Sequence, residues 1–177
     1  MLRRAAFLSC LVLLFSVSAR AQSDNGKFEL FGGYSYQWAN PNNGPSFGQS
    51  GWEGSLQYKF SSLLGVVADA DGHYGQTLGV NSTVYTYMFG PQISFGPALG
   101  FPSRFEPFAQ VLVGAGHIHF SGAATDDAVA WTFGVGVDYK VMPWLYWRVI
   151  QANYQPTYFF GHTQNNARLS TGLVIHF

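Results

Sequence analysis

The sequence predicts an all-β fold, an eight-stranded antiparallel up-and-down transmembrane β-barrel. Three observations predict it: apolar and polar residues alternate with a period of two, the composition is aromatic and poor in charge, and the connecting segments alternate between short and long. Of 177 residues, 47% are hydrophobic, 18% aromatic and 10% charged. A soluble surface usually wants about a quarter of the residues charged, so this chain has too few to cover one. The same figures exclude disorder. No Lys/Arg cluster follows residue 4, which excludes a basic nucleic-acid-binding surface; no nucleic-acid partner is expected.

The first 21 residues read as a signal peptide, with 22–177 as the barrel domain. Arg3 and Arg4 form a positive n-region, Ala5 to Val17 an apolar run, and Ala19-Arg20-Ala21 a small-x-small cleavage site before Gln22. The apolar run is shorter than the roughly 18 residues of a membrane-spanning helix. Cleavage would remove Cys10, the only cysteine, so the exported chain would have no disulfide. Three of the nine Lys and Arg would leave as well; six bases would then face nine acids, a net charge of −3.

Five strands declare both faces. Lys27 to Ala39 sets Phe28, Leu30, Gly32, Tyr34, Tyr36 and Trp38 against Glu29, Gly33, Ser35 and Gln37, with Phe31 out of place. Gly51 to Phe60 alternates without exception, Trp52, Gly54, Leu56, Tyr58 and Phe60 against Glu53, Ser55, Gln57 and Lys59. Leu64 to Tyr74 opposes Leu64, Val66, Ala68 and Ala70 to Asp69, Asp71 and His73, with Val67 on the polar side. Trp131 to Lys140 and Arg168 to Phe177 repeat the pattern, with Asp138, Lys140 and Arg168 on polar faces. Three further strands are Ser82 to Phe95, Phe108 to Phe120 and Leu145 to Tyr154. The last two show no readable face, as a register-resetting bulge would produce.

The connectors sort to two ends. Asn40–Ser50, the Gly-rich segment after Tyr74, Ser121–Asp127 and Gln155–Asn166 read as long loops; Ser61-Ser62 and Val141–Trp144 read as short turns, and Gly96–Glu106 as a turn of greater length. The polar faces decide between membrane and water. They carry Glu29, Glu53, Asp69, Asp71 and Asp138 against Lys59, Lys140 and Arg168, with Arg148 joining them. Five acids and four bases suit a closed, mutually pairing lumen, to which His73 adds an imidazole. The opposite faces carry Trp38, Trp52, Tyr58, Tyr74, Trp131 and Tyr139 near strand ends, as interfacial girdles require. At about 3.3 Å per residue and a tilt near 40°, ten residues cross roughly 25 Å of hydrocarbon.

With its leader, eight alternating strands and closing segment Arg168-Leu-Ser-Thr-Gly-Leu-Val-Ile-His-Phe177, the chain resembles the small outer-membrane β-barrel proteins of Gram-negative-type bacteria, the OmpA/OmpX-like family. The resemblance implies an integral outer-membrane location with lipid and lipopolysaccharide as surroundings. It also implies that Leu173, Ile175 and Phe177 form the assembly signal read by the barrel-assembly machinery. Because the chain stops at Phe177, no peptidoglycan-binding domain is expected, and the barrel is expected to act as a monomer. Eight strands enclose an interior that side chains can fill, so no wide pore is expected.

No enzymatic activity is expected either. Gly161-His162-Thr163-Gln164-Asn165-Asn166 superficially resembles the His-x-Ser-Asn motif of lipid A deacylases, but Thr163 and Gln164 stand where the nucleophile belongs; the segment reads as a polar loop. Asp69, Asp71 and His73 share one strand face and could offer ligands to a divalent ion, but their same-face spacing of nearly 7 Å would demand partners from other strands. A hydrogen-bonded lumen network is the preferred reading. His117 and His119 share a face without further ligands for zinc, so no metal and no cofactor is expected. The expected role is structural or surface interaction, with a lipid-modifying outer-membrane enzyme or a soluble lipocalin-like secreted barrel as alternatives.

Overall fold

The protein is represented by a computed structural model, which describes residues 26–39, 47–77, 80–96, 100, 102–120, 125–159 and 162–177. The expected leader, residues 1–21, lies outside the described residues. Eight strands follow one another: β1 (Phe28–Ala39), β2 (Phe47–Lys59), β3 (Leu64–Thr77), β4 (Val80–Ser94), β5 (Phe105–Phe120), β6 (Thr125–Met142), β7 (Leu145–Phe159) and β8 (His162–His176). Each pairs antiparallel with its neighbours, and β8 returns to β1 to close the barrel. Closure satisfies the backbone of every strand, as a sheet in hydrocarbon requires. At the seam Phe28 N donates to Phe177 O at 3.0 Å and Phe177 N to Phe28 O at 2.9 Å, while the two rings stack with centroids 5.8 Å apart.

Alternation decides the faces. Along β1, Glu29, Phe31, Ser35 and Gln37 are buried in the lumen, while Phe28, Leu30, Tyr34 and Trp38 are exposed on the outside. The outer surface is a continuous apolar band, with Phe89 63% and Tyr87 61% exposed, which only a lipid environment tolerates at this extent.

Several connectors are shorter than the sequence suggests. Gln155–Asn166 is no loop: β7 runs to Phe159 and β8 starts at His162, with Gln155 paired to Asn166 and Pro156 to Asn165. Likewise β2 begins at Phe47 and β6 at Thr125. A membrane crossing consumes about ten residues, and strands of 12 to 18 residues continue past it, carrying polar sequences that read as loops.

The two strands without readable faces have different explanations. In β7 the register shifts between Arg148 and Gln151, so Val149 and Ile150 both point outward and the parity of lumen residues changes from even to odd. In β5 there is no shift; Phe108, Leu112 and Ile118 simply bring apolar side chains to the lumen as well.

Candidate functional site

The candidate site is the lumen, organised around Arg168. Its side chain projects inward from β8 and is fully buried, with 0% exposure. One Nη donates to Asp71, the other to Glu53 Oε1 and Asp69 Oδ1 at 3.3 Å each. Asn153, with its amide oxygen turned to the guanidinium, accepts from Nη2 at 2.8 Å and Nε at 3.0 Å. One cation thus serves three carboxylates, and the planar fork of arginine suits it to that divergent set.

Second partners hold the carboxylates in place. Glu53 accepts from Ser170 Oγ and, at 2.7 Å, from Gln151 Nε2. Asp71 accepts from Thr86 Oγ1 at 2.8 Å and lies 3.0 Å from His73 Nδ1. His73 Nε2 in turn lies 2.9 Å from Ser35 Oγ, which lies 3.0 Å from Ser170 Oγ. Strands β1, β2, β3, β4, β7 and β8 are thereby linked across the barrel. The arrangement uses Asp69, Asp71 and His73 as members of this network, and among the described residues no cluster of three or more acids, Cys and His is arranged to hold a metal. His117 Nδ1 lies 2.6 Å from Asp127 on the outer surface.

Arg148 makes a second centre. It grips Asp138 with Nε at 2.8 Å and Nη2 at 3.0 Å, and donates to Gln151 Oε1 at 2.6 Å. Its guanidinium is sandwiched between Phe31 and Phe108, whose ring centroids lie 4.3 and 4.4 Å away. Phe31, an exception to the sequence alternation, is therefore a lumen residue with a partner. Gly136 sits opposite Phe108, and a Cβ there would collide with the ring, so glycine leaves the ring its room against β6.

At the end where the termini meet, Lys59 bridges Glu29 and Glu106, the latter at 2.5 Å. His176 Nδ1 lies 3.3 Å from Glu29 and its ring stacks on Tyr146 at 3.9 Å. Lys140, on the same rim, lies 5.8 Å from the Tyr146 ring centroid. Glu106 corrects the count of five lumen acids to six: β5 begins at Phe105, so this residue belongs to a strand and not to the preceding turn. Pro107, which interrupts any strand signal, hides it in the sequence.

Between β3 and β6 the wall also carries two apolar clusters. Val67, Met88, Leu112 and Ala130 form one buried cluster, and Val84, Ile118 and Ala128 another. Val67, the second exception to alternation, belongs to the first. Thr132 Oγ1 donates to Met88 Sδ at 3.1 Å, so even the polar residue here turns to the apolar set.

The closing strand presents Leu173 and Ile175 to lipid, at 53% and 38% exposure, and ends in the stacked Phe177. Girdle side chains interlock on the opposite half of the outer face: Tyr74 Oη lies 3.1 Å from Tyr85 Oη, and Tyr34 Oη 3.0 Å from Ser50 Oγ. Residues 162–166 form the start of β8 and not a loop; Asn166 is buried and donates to Thr157 Oγ1 at 3.1 Å. The side chains of His162, Thr163 and Gln164 lie outside the described residues.

Solved structures share this architecture. Neisserial surface protein A superimposes with a TM-score of 0.70 at 16% identity, covering 85% of this chain and 97% of that one. Ail, the attachment invasion locus protein of Yersinia pestis, gives 0.60 at 15% identity, covering 85% and 99%. OprG from Pseudomonas aeruginosa gives 0.55 at 12% identity, covering 86% and 96%. No curated protein matches the sequence. The sequence model of the outer membrane protein beta-barrel domain matches residues 7–177. With an apolar outer band, a closed eight-strand ladder and a polar lumen on the same chain, the protein belongs to the outer membrane protein beta-barrel domain family and is an integral outer-membrane barrel.

Proposed function

We propose that this barrel is a non-enzymatic, surface-displaying protein whose lumen does not conduct solutes. In this reading residues 1–21 are a cleaved export signal, and the barrel-assembly machinery reads Leu173, Ile175 and Phe177. The folded chain then acts as a monomer in outer-membrane lipid and lipopolysaccharide. The observation that carries the proposal is the Arg168 network, which crosses the lumen from β2 and β3 to β8 with fully buried side chains. Opening a path would break several charge-assisted hydrogen bonds at once.

The surface available to a partner is defined by its charge. Segments 40–46, 78–79, 121–124 and 160–161, which join strands at the far end from the termini, contain no Lys or Arg. They contain no Asp or Glu either, so their Asn, Pro, Gly, Ser and Ala suit an uncharged partner. Ail has been crystallised in complex with the heparin analogue sucrose octasulfate; no such polyanion binding is expected here. Planar-bilayer recording of the purified, folded protein tests the closed lumen. Quiet membranes are expected, and stable steps in the nanosiemens range would refute the reading.

A further inference from the structure

The basic residues from Lys27 onward are placed one-sidedly. Lys59, Arg148 and Arg168 are paired with lumen carboxylates. The others, Lys27, Arg104 and Lys140, lie at the end where the termini meet and β6 and β7 join by a short turn. In outer-membrane barrels that is the periplasmic end. On its outer face, the extracellular half therefore meets the outer leaflet without a Lys or Arg.

What that half presents instead is an aromatic platform. The strand register sets Tyr34, Trp52, Gly72, Tyr85, His117 and Asp127 in one row from β1 to β6, all on the outer face. Gly72 is buried beneath its neighbours: a Cβ there would meet Trp52 Nε1 at 2.7 Å and Tyr85 Cε1 at 2.9 Å. Glycine thus lets the indole and the phenol come together over β3. Tyr74 ties the two rings to each other. Trp52 Nε1 donates to Tyr74 Oη at 3.5 Å, Tyr85 Oη lies 3.1 Å from the same oxygen, and the two Tyr rings meet edge to face at 6.1 Å. Trp52 and Tyr74 nevertheless stay more than two-fifths exposed. A ring that only anchors the barrel at the interface needs no such partners, whereas here rings from three strands are fixed in one surface.

Further along the row, His117 Nδ1 lies 2.6 Å from Asp127 Oδ1, and the Asp127 side chain is 82% exposed. An exposed carboxylate does not lie in hydrocarbon, so this end of the row marks the headgroup level. Aromatic faces bordered by a carboxylate, an imidazole and phenolic hydroxyls, with no cation among them, match the chemistry of a sugar. The C–H face of a pyranose lies on the rings, and its hydroxyls exchange hydrogen bonds with the polar rim. A phosphate in the same place would meet Asp127 with like charge.

We propose that this platform binds a neutral sugar headgroup of an outer-leaflet glycolipid, with Trp52 and Tyr85 carrying the sugar ring and His117 and Asp127 meeting its hydroxyls. The inference rests on the outer-membrane orientation above. Native mass spectrometry of the full folded chain in a sugar-free detergent supplemented with monogalactosyldiacylglycerol tests it, with phosphatidylglycerol of the same acyl chains and free methyl galactoside as separate arms. Selective retention of the galactolipid is expected. Trp52→Leu should weaken it about fivefold, the order of one aromatic contact. Gly72→Ala, which forces the two rings apart without removing either, should weaken it comparably. Asp127→Asn should weaken retention of the galactolipid while strengthening that of phosphatidylglycerol. Trp147→Leu, in the periplasmic girdle, should leave it unchanged. An equal loss in Trp147→Leu would reduce the platform to general girdle adhesion and overturn the proposal. So would equal retention of phosphatidylglycerol, undiminished binding in both Trp52→Leu and Gly72→Ala, or displacement of the lipid by equimolar methyl galactoside, which would make a free sugar the ligand. Heat-modifiable migration of the same samples separates the failures. A chain that shows no folded form contradicts the barrel reading itself, whereas a folded barrel without galactolipid selectivity overturns this inference alone.

Discussion

The two walls of the lumen solve one filling problem with opposite chemistry. From β7 through β8 to β3 the interior is charged, and Arg168, Glu53, Asp69 and Asp71 hold one another in place. Over the middle of β3 to β6 it holds an apolar cluster, Val67, Met88, Leu112 and Ala130, set among polar lumen residues such as Gln92 and Gln110. The charged wall stabilises only while every partner is present, since an orphaned buried charge costs more than its pair contributes. The apolar wall depends on volume, and a missing group costs in proportion to the void it leaves. The difference teaches that the charged wall should fail by partner and the apolar wall by size.

The largest expected effect is therefore Arg168→Met. It keeps an unbranched apolar stem but removes the guanidinium, leaving three carboxylates without their cation, and unfolding in urea from lipid vesicles should show a loss of about 3–5 kcal/mol. Leu112→Ala, on the apolar wall at 0% exposure, should cost about 2–4 kcal/mol in the same assay, while Met88→Leu should cost under about 1.5 kcal/mol. Arg148→Lys keeps the charge but loses the two-pronged contact with Asp138 and the stack between Phe31 and Phe108; about 1–2 kcal/mol is expected. Thr132→Val, which removes only a weak donor to sulfur, should fall under about 1 kcal/mol. If Arg168→Met were milder than Thr132→Val, the division between the walls would not hold.

The same division explains what was legible beforehand. In β2, Glu53, Ser55 and Gln57 face the charged wall while Trp52 and Leu56 face lipid, so alternation stands out. In β5, Leu112 faces the apolar wall and Val111 faces lipid, and a period of two disappears when both faces are apolar. The two outward neighbours Val149 and Ile150 hide β7 by a different route, a change of register that composition does not announce. Phe31 and Val67 looked like errors of pattern because their partners, Arg148 and the β4–β6 cluster, come from distant parts of the chain. Residue identity placed the charges on one face; which carboxylate meets which guanidinium follows from the register, and that becomes fixed only on closure.

The central claim is that Arg168 and the acids facing it act as one unit that closes the lumen. A double-mutant cycle of Arg168→Met and Glu53→Gln, read from urea unfolding in vesicles, tests it most directly. A coupling of about 1–3 kcal/mol between the two positions is expected. Strict additivity, to within about 0.5 kcal/mol, would contradict it, because the two side chains would then contribute to the barrel independently.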